Sequence, residues 1–387
     1  MPTTSPSSSA ALGPDWDACA GSDDPFVSRA FFEALFESGS ATPQSGWTFD
    51  PATVASPGPT GHIVGIAPVF RKSHSMGEYV FDHSWAQAWN ARAPANRRYY
   101  PKLLVGVPFT PVPGPRLLVR PGAPADTRDR LIAAIEAVVH RDSLSSAHAN
   151  FLIEQDRAAF EQRGWILRAG YQFHFTNPGH ANFEAFLATL QSHRRKDIRR
   201  ERRLAQASGL DLRTLRGSEL TADHWRQFHT LYLANSDRKW GQAYLGATFF
   251  QRMAAKLGDR VILTAAMDGS NLVAAALHLR GMHTLYGRNW GALRQIPFLH
   301  FELCYYMALD LAFAEGIPRV EAGAQGEHKL QRGYLPAPTW SAHYIAEPRF
   351  RAAVATFCAE ERAAVLAMIA DVDGPYREAA GFEGPRE

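Results

Sequence analysis

The chain has 387 residues, of which 46% are hydrophobic and 20% are charged, and its formal net charge is +3. This length exceeds what one hydrophobic core usually supports, so it predicts two domains or one internally doubled domain. The small net charge excludes wholesale nucleic-acid binding, and no apolar run reaches the roughly 18 residues of a membrane helix. We therefore expect a soluble protein with no DNA partner and no transmembrane segment.

Residues 1–22 open with a Ser/Thr/Pro/Ala-rich stretch that has neither the basic n-region nor the apolar h-region of an export signal. This composition predicts a disordered leader and a cytoplasmic protein. Three widely spaced cysteines, Cys19, Cys304 and Cys358, favour reduced thiols over a disulfide framework or a zinc site. The sequence has no HExxH, paired CxxC, GxSxG or P-loop motif, so we predict no metal site and no hydrolase chemistry of those classes.

The first half alternates helix-type and strand-type patterns. Amphipathic or helical spacing of apolar residues predicts helices at 25–37 and 128–140. Strand composition marks residues 61–70, 77–82, 150–154 and 171–177. Prolines and glycines crowd residues 99–119, which predicts a loop with at most an edge strand.

The second half repeats this alternation. Helices are predicted near residues 182–190, 195–206, 221–234, 248–257, 299–314 and 349–370. Strands are predicted at residues 260–267, 271–280, 283–290, 318–323 and 340–346. Asp268-Gly269 is a strong hairpin signal, and the helix at 299–314 provides a crossover that makes the next strand a parallel neighbour. The order indicates an α/β fold with mixed sheets flanked by helices.

Weak local sequence similarities between the two halves of the chain suggest an internal duplication. Lys102-Leu103 with its following glycine and prolines parallels Lys329-Leu330 with its own glycine and prolines. The lengths between the shared features differ, so chance similarity is the alternative explanation.

The segment from Val320 to Pro338 is a charged, glycine-rich loop behind an apolar strand. A loop in this place lies at the carboxyl edge of a sheet, where α/β proteins bind ligands. Its candidate catalytic residues are Glu327 and His328, which could act as a base or an acid, and Lys329 and Arg332, whose positive charges could bind a negatively charged group. The alternative is a surface loop with solvated charges.

Two further places carry candidate binding residues. Glu302 stands among apolar neighbours, so it must be paired, hydrogen-bonded or raised in pKa, with Tyr305 or Tyr306 as a structural partner. His300 is two positions before it. At the end of a predicted strand, a cation and aromatic rings suited to a planar or anionic group come together: Tyr286, Arg288 and Trp290.

A loop between helices adds Arg238, Lys239 and Trp240 as candidate binding residues. Taken literally, Arg238-x-x-Gly241-x-Ala243 fits the pyrophosphate-binding pattern of acetyltransferases. That pattern acts between a strand and a helix N-terminus, whereas a helix precedes this loop, so we reject the match.

The positive charge is concentrated in a predicted basic helix at residues 194–206. Its segment RRKDIRRERR holds seven basic and two acidic residues. One ridge of this helix presents Arg195, Arg199 and Arg203. These arginines are candidates for binding the phosphates of a coenzyme or a tRNA acceptor end. Asp197 and Glu201 could instead neutralise part of the charge as surface pairs.

Several segments together resemble a bacterial FemAB-like family, labelled peptidoglycan biosynthesis/recognition or predicted N-acyltransferase. They include HSMGEYVFDHSWA, YYPKLLVGVPFTPVPGPRLLV, RRKDIRRERR, LYGRNWGA and EAGAQGEHKLQRGYLPAPTWSAH. The resemblance implies two tandem acetyltransferase-like (GCN5-related) domains, which we place at residues 23–175 and 176–387.

The wider Fem relatives carry a basic-x-Gly-aromatic stretch near the acceptor cleft, and Gln331 to Tyr334 is similar to it. The resemblance therefore implies a binding role for Tyr334. Leu335-Pro336 stands where those relatives have a second glycine, and no heptad run matches the coiled-coil arm that some of them use for tRNA.

The sequence therefore predicts an N-acyltransferase. It moves an acyl or aminoacyl group from an activated donor, aminoacyl-tRNA or acyl-CoA, to an amine such as that of a peptidoglycan precursor, without a tightly bound cofactor. One alternative is a non-catalytic module that binds a cell-wall peptide or RNA. Another is acylation of a small metabolite or lipid amine from acyl-CoA.

Overall fold

The computed structural model describes residues 12–57, 61–94, 97–239, 243–323 and 326–376, apart from the side chains of residues 237–239. The contacts within the chain divide it into two compact units. Unit 1 comprises Met1–Gly170, Tyr244–Gly246 and Pro338–Met368, and unit 2 comprises Tyr171–Ala243, Ala247–Ala337 and Ile369–Glu387. The sequence prediction divided the chain once, after residue 175, whereas these contacts assign Pro338–Met368 to unit 1.

The described residues form strands with the following bounds: β1 (Trp47–Phe49), β2 (Ala52–Ala55), β3 (Ile63–Ala67), β4 (Val69–Lys72), β5 (Lys102–Val105), β6 (Leu118–Val119), β7 (Ser146–Leu152), β8 (Ile166–Thr176), β9 (Asp211–Arg216), β10 (Val261–Asp268), β11 (Asn271–Arg280), β12 (Thr284–Ala292), β13 (Arg319–Glu321) and β14 (Leu335–Ile345). The α-helical segments are α1 (Trp16–Ala20), α2 (Arg29–Glu37), α3 (His83–Asn90), α4 (Thr127–Arg141), α5 (Glu154–Gln162), α6 (Phe183–Thr189), α7 (Ser192–Gln206), α8 (Ala222–Lys239), α9 (Phe249–Leu257), α10 (Leu299–Phe301), α11 (Met307–Ala314) and α12 (Pro348–Ala370).

In unit 1, neighbouring strands of the main sheet follow the order β1-β4-β5-β7-β14, and β2, β3 and β6 form a smaller antiparallel sheet. The β4–β5 pair is antiparallel and the β5–β7 pair is parallel, so the main sheet is mixed. Helix α4 buries Leu131, Ile132, Ile135 and Val139, residues at the 3–4 spacing of one helix face. That face joins the strands in one hydrophobic core.

Three sequence predictions for unit 1 are wrong in whole or in part. Of the disordered leader predicted at residues 1–22, residues 1–11 lie outside the described residues, but Trp16–Ala20 forms α1 with Trp16 and Cys19 buried. Residues 77–82 do not form a strand and are irregular. Lys102–Val105, expected to be loop or edge strand, is instead a buried strand with β4 on one side and β7 on the other. The prolines that suggested a loop lie outside these four residues, so the strand keeps its backbone hydrogen bonds.

In unit 2, neighbouring strands follow the order β8-β13-β12-β11-β10-β9. The predicted hairpin at Asp268-Gly269 is confirmed, because Asp268 pairs with Asn271 and β10 runs antiparallel to β11. The predicted crossover is also confirmed, because β13 pairs with β12 in parallel. The predicted fold class, α/β with mixed sheets flanked by helices, is therefore confirmed.

The predicted helix at 299–314 is present with a change of pitch. Its first turn, α10, leads into a π-helical segment, Glu302–Tyr306, which continues as α11. Such π segments often occur at functional sites. None of the helices in the described part of the chain combines the length and the hydrophobicity that crossing a bilayer requires.

Candidate functional site

The candidate site in unit 2 begins where β12 and β13 part. Leu285 pairs with Val320 and Tyr286 with Glu321, but β13 ends at Glu321 while β12 continues to Ala292. Gly287 lies at this point, where a Cβ atom would be 3.2 Å from the carbonyl oxygen of Glu321. This close approach of the two backbones favours glycine at position 287. After Glu321 the chain enters the predicted loop, which therefore begins at the carboxyl end of a parallel strand.

The predicted catalytic residues share one short 3₁₀ segment, Glu327–Arg332. Gly326 and Gly333 bracket it with φ values of 112° and 87°, which few other residues adopt. At Gly333 a Cβ atom would also lie 2.6 Å from the ring of Phe186. The glycines thus fold the charged stretch into a compact turn.

Arg332 is buried and clamped by its neighbours. Its Nη2 lies 2.7 and 2.8 Å from the two carboxylate oxygens of Glu201, and its Nε donates to the Tyr306 hydroxyl at 2.9 Å. Its Nη1 donates to the carbonyl oxygen of His328 at 2.6 Å. The guanidinium carbon also lies 3.5 Å from the ring centroid of Phe301. This arrangement suits a residue that holds the turn in place.

His328 contacts a group of rings. Its Nε2 lies 2.9 Å from the hydroxyl oxygen of Tyr305. The ring centroids of His328 and His300 are 5.8 Å apart, and those of His300 and Trp290 are 5.1 Å apart. The structure therefore brings His300, His328 and Trp290 together, which the sequence nominated at three separate places.

The other two residues of the turn differ in exposure. Lys329 is buried, and its Nζ donates to the carbonyl oxygen of Gly323 at 2.6 Å. Glu327 is exposed on the first turn of the segment. Lys329 thus joins the two ends of the loop, while Glu327 faces solvent.

A cleft of about 590 Å³ lies beside these rings. It is lined by Asn235, Trp290, Ala292, Arg294, Gln295, Ile296, Pro297, Leu299 and His300. Its volume falls within the range of small-molecule sites. Since His300 lines the cleft and also contacts His328, the cleft and the 3₁₀ segment form one candidate active site.

Glu302, the buried carboxylate of the π segment, is paired with Arg202. The Arg202 Nη2 lies 2.9 Å from Glu302 Oε1 and 2.6 Å from Asp310 Oδ2. The other oxygen, Oε2, is buried with no hydrogen-bond partner among the described residues. Burial raises the pKa of Glu302 above its usual value, although Arg202 opposes the shift. The expected tyrosine partners are therefore replaced by an arginine from α7.

Helix α7 confirms the predicted basic helix. Two residues of the predicted ridge, Arg199 and Arg203, are exposed, and Arg199 Nη2 lies 2.6 Å from Glu184 Oε2. The third, Arg195, is half-buried, and its Nη1 donates a hydrogen bond to the carbonyl oxygen of Leu190. The exposed positive charge also includes Lys196 and Arg200.

Sequence reasoning missed the inward face of α7. Ile198, Glu201, Arg202 and Ala205 are spaced three and four residues apart, so they share one face of the helix. Ile198 and Ala205 are buried, and Glu201 and Arg202 hold Arg332 and Glu302 respectively. This spacing was the available signal that two charges in a basic run point inward.

The remaining predicted residues lie outside the cleft or outside the described part of the chain. Tyr334 is fully buried, its hydroxyl 3.4 Å from the carbonyl oxygen of Tyr305, and burial raises its pKa. Tyr286 is buried in β12 and Arg288 is half-buried. Trp240 lies outside the described residues, as do the side chains of Arg238 and Lys239.

Unit 1 contains a buried charged network that the sequence did not indicate. Lys102 Nζ donates to Ser75 Oγ at 2.7 Å, to Glu78 Oε2 at 2.8 Å, and to Asp82. Burial opposes the charge on Lys102, but the two carboxylates raise its pKa above the usual value. Glu78 and Asp82 are four residues apart in HSMGEYVFDHSWA, yet nothing local pairs them with a lysine twenty residues further on.

A second buried lysine, Lys72, lies directly opposite Lys102 across the β4–β5 pair. Its Nζ is 3.5 Å from the ring centroid of Trp47. Burial, helped by the charge on Lys102 and opposed by Glu78, lowers the pKa of Lys72 to about 7. Burial raises the pKa of Glu78 to about 7 as well.

The network extends to two buried histidines on neighbouring strands. His148 Nδ1 lies 2.7 Å from His343 Nδ1, and His148 Nε2 lies 2.9 Å from Ser146 Oγ and 3.2 Å from Tyr99 Oη. Burial lowers the pKa of His148 to about 3 and that of His343 well below its usual value. Both are therefore neutral at pH 7, and they link β7 to β14 inside unit 1.

Within the described residues, no group of three or more His, Cys, Asp or Glu side chains could hold a metal ion.

The chain matches the FemAB-like family, described as peptidoglycan biosynthesis/recognition, over residues 10–378. This match confirms the resemblance seen in the sequence. No curated protein matches the chain in sequence.

Several solved structures resemble the fold. One is the C-terminal domain of a protein described as a lysylphosphatidylglycerol synthetase from Agrobacterium fabrum, with TM-score 0.53 and 10% identity over 89% of this chain and 93% of that one. Another is L-PGS from Bacillus licheniformis, with TM-score 0.51 and 10% identity over 87% and 98%. A third is FemX, with TM-score 0.50 and 10% identity over 88% and 98%. At this identity the likenesses establish the fold alone.

Proposed function

The chain belongs to the FemAB-like family, and we propose that it is an N-acyltransferase with its active site in the cleft of unit 2. It moves an acyl or aminoacyl group from an activated donor to an amine, with a peptidoglycan precursor as the candidate acceptor. The single observation that carries the proposal is His300, which lines the cleft and contacts His328.

In the proposed reaction the acceptor amine attacks the carbonyl carbon of an ester or thioester donor. The new C–N bond forms, the C–O or C–S bond to the donor breaks, and the amine proton leaves. His300 accepts this proton because its ring borders the cleft. The contact with His328, itself held by Tyr305, fixes the orientation of the imidazole pair. The proton then passes to the leaving group.

Arg332 and Lys329 serve as positioning residues in this mechanism. Their hydrogen bonds to Glu201, Tyr306 and the loop carbonyls shape the turn that carries His328. Stabilisation of the oxyanion falls to N–H groups of the glycine loop. Glu327, exposed beside His328, remains a candidate second base.

The donor in this proposal is a co-substrate, aminoacyl-tRNA or acyl-CoA, and no cofactor is tightly bound. The name of the lysylphosphatidylglycerol synthetase from Agrobacterium fabrum, which refers to a lysyl group, supports an aminoacyl donor. A cytoplasmic location fits either donor, because both arise in the cytoplasm. Mass spectrometry of molecules retained on the purified chain identifies the donor class.

The test of the mechanism compares histidine variants in steady-state transfer assays. His300→Asn should lower kcat/KM by about 10²–10⁴-fold, the usual contribution of a positioned general base, and His328→Asn, which removes only the orienting contact, should lower it by a smaller factor. His283→Asn, in an exposed turn of the same unit, is the matched control and should retain full activity. Full activity in a folded His300→Asn variant would exclude the proposed base.

A second candidate function is RNA binding without catalysis. It is favoured by the exposed positive charges of Lys196, Arg200 and Arg203 on α7. Glu201 of the same helix forms an ion pair with Arg332, so its carboxylate does not neutralise these exposed charges. Such binding depends on phosphate contacts, so affinity should fall steeply with salt. A steep salt dependence without turnover of any acyl donor would favour this candidate.

A further inference from the structure

The π segment contacts the 3₁₀ segment through two consecutive tyrosines. The hydroxyl oxygen of Tyr305 lies 2.9 Å from His328 Nε2, and the hydroxyl of Tyr306 accepts a hydrogen bond from Arg332 Nε at 2.9 Å. A π turn joins residues five positions apart, so it holds more residues than an α turn and its successive side chains diverge by a smaller angle. The wider turn therefore allows two neighbouring tyrosines to reach the same short segment.

A threonine of the sheet donates a hydrogen bond to the backbone of the π segment. Thr264 on β10 is fully buried, and its Oγ1 donates to the carbonyl oxygen of Leu303 at 2.7 Å. Leu303 is also buried, and it follows by three residues His300, which lines the cleft. A side-chain donor on a helical carbonyl oxygen competes with the backbone amide four residues further on, so it favours a departure from α-helical pitch. The hydroxyl of Thr264 is thus suited to stabilise the π turn at this position.

A buried histidine sets the direction of this hydrogen bond. His278 on β11 lies diagonal to Thr264 across the β10–β11 pair, and its Nε2 is 3.0 Å from Thr264 Oγ1. Because a carbonyl oxygen only accepts, the hydroxyl donates to Leu303 and accepts from His278, which requires a hydrogen on Nε2. Burial lowers the pKa of His278 to about 4, so near pH 7 the ring is neutral and carries a single N–H. His278, Thr264 and Leu303 therefore form a hydrogen-bond chain with one direction.

We propose that Thr264 is a positioning residue of the candidate active site and that His278 orients its hydroxyl. Through the carbonyl oxygen of Leu303, the two residues fix the pitch of the π segment. That pitch sets the place of the two tyrosines beside the 3₁₀ segment and the place of His300 in the cleft. This inference rests on the proposed acyltransferase function and adds to it two residues that are not among those lining the cleft.

Paired substitutions test this chain of hydrogen bonds. Thr264→Val keeps the shape of the side chain and removes the hydroxyl, whereas Thr264→Ser keeps the hydroxyl. His278→Leu removes the Nε2 donor, whereas His278→Gln supplies an amide N–H in its place. Thr284→Val is the matched control, because Thr284 is a buried threonine at the start of β12, at the opposite end of that strand from the cleft residue Ala292.

The kinetic expectation is a loss of rate without a loss of binding. In steady-state transfer assays of the full chain, Thr264→Val should lower kcat by about 10–10²-fold with KM nearly unchanged, because small displacements of reacting groups reduce the rate steeply. His278→Leu should act in the same way. Thr264→Ser, His278→Gln and Thr284→Val should retain most of the wild-type kcat.

NMR of the chain labelled with ¹⁵N-histidine gives a readout that does not depend on catalysis. The imidazole signals of His300 and His328 should move in Thr264→Val and in His278→Leu, and they should return to their wild-type positions in the two conservative variants. His300→Asn and His328→Asn assign these signals. Because the signals come from folded molecules, a loss of stability alone does not move them.

The outcomes separate this inference from the proposed function. Unchanged imidazole signals in folded Thr264→Val overturn the inference, as does an unchanged kcat or a failure of Thr264→Ser to restore both. Displaced signals and a lowered kcat that the conservative variants restore support it. If Thr264→Val does not fold, the two His278 variants decide by the same criteria. If the signals move and are restored but no donor is ever turned over, the proposed catalysis fails, while the control of the π segment by Thr264 stands.

Discussion

The contact between α7 and the 3₁₀ segment Glu327–Arg332 makes a quantitative prediction about Glu201 and Arg332. Their side chains are 14% and 6% exposed, and two carboxylate oxygens share one guanidinium nitrogen. Glu201 also accepts a hydrogen bond from the Tyr306 hydroxyl. Glu201→Gln leaves a buried guanidinium without its counter-charge, and we expect unfolding free energy to fall by about 2–4 kcal/mol.

A double-mutant cycle isolates the pair itself. Combining Glu201→Gln with Arg332→Gln should give a coupling energy of about 1.5–3 kcal/mol, because each single variant strands a buried partner. The same helix supplies the control. Arg199 and Glu184 form a pair of the same type at 2.6 Å, but with 53% and 68% exposure. Their coupling should not exceed about 1 kcal/mol.

The assay is urea denaturation of the four members of each cycle at pH 7 and low salt. The m-values should agree within a cycle, since equal m-values show that the same structure unfolds. A coupling for Glu201 and Arg332 no larger than that of the exposed pair would refute the view that burial strengthens this contact. It would also remove the reason to treat Arg332 as a positioning residue.

Two further predictions concern packing and pH. Gly291→Ala should lower unfolding free energy by at least about 2 kcal/mol, because its Cβ would lie 2.2 Å from the Leu231 carbonyl oxygen. Gly316→Ala is the control, because φ is 64° at Gly316 but no atom lies within 4 Å of the added Cβ, and it should lower the unfolding free energy by about 1 kcal/mol. Equal losses in the two variants would contradict the steric clash expected at Gly291. The lowered pKa of Lys72 means that the unfolded chain binds a proton the folded chain lacks between pH 7 and 10.5, so stability should rise with pH there by up to about 1.4 kcal/mol per unit. Lys72→Met should remove that rise in urea titrations at several pH values. For Glu78, whose folded pKa is raised to about 7, the sign is opposite and stability should fall between pH 4.5 and 7.

The elements that could be predicted from the sequence are those with a local cause. The Asp268-Gly269 hairpin depends on two turn residues, and α4 depends on the spacing of its own apolar side chains. Both signals lie within one segment, so no distant partner is needed to read them.

The strand Lys102–Val105 shows why the rest could not be predicted. A lysine at its start argues against a buried strand, and only Glu78 and Asp82, more than nineteen positions earlier, make that burial tolerable. The same holds for Arg332, whose partner Glu201 is 131 residues away. Buried charges are explained by long-range pairs, and a single sequence does not specify those pairs.

Helix α7 contains residues whose role could be predicted from the sequence and residues whose role could not. Its outward residues Lys196, Arg200 and Arg203 are readable as positive charge, whereas its inward Glu201 and Arg202 are readable only when helical spacing is applied to a run that looks uniformly basic. Because the two faces belong to one helix, substitutions on them should act differently. An outward change alters affinity for anions in a salt-dependent way, and an inward change alters the geometry of the turn at any salt concentration. A basic helix that carries a buried ion pair on its inner face is therefore a structural support of the candidate site as well as a charged surface.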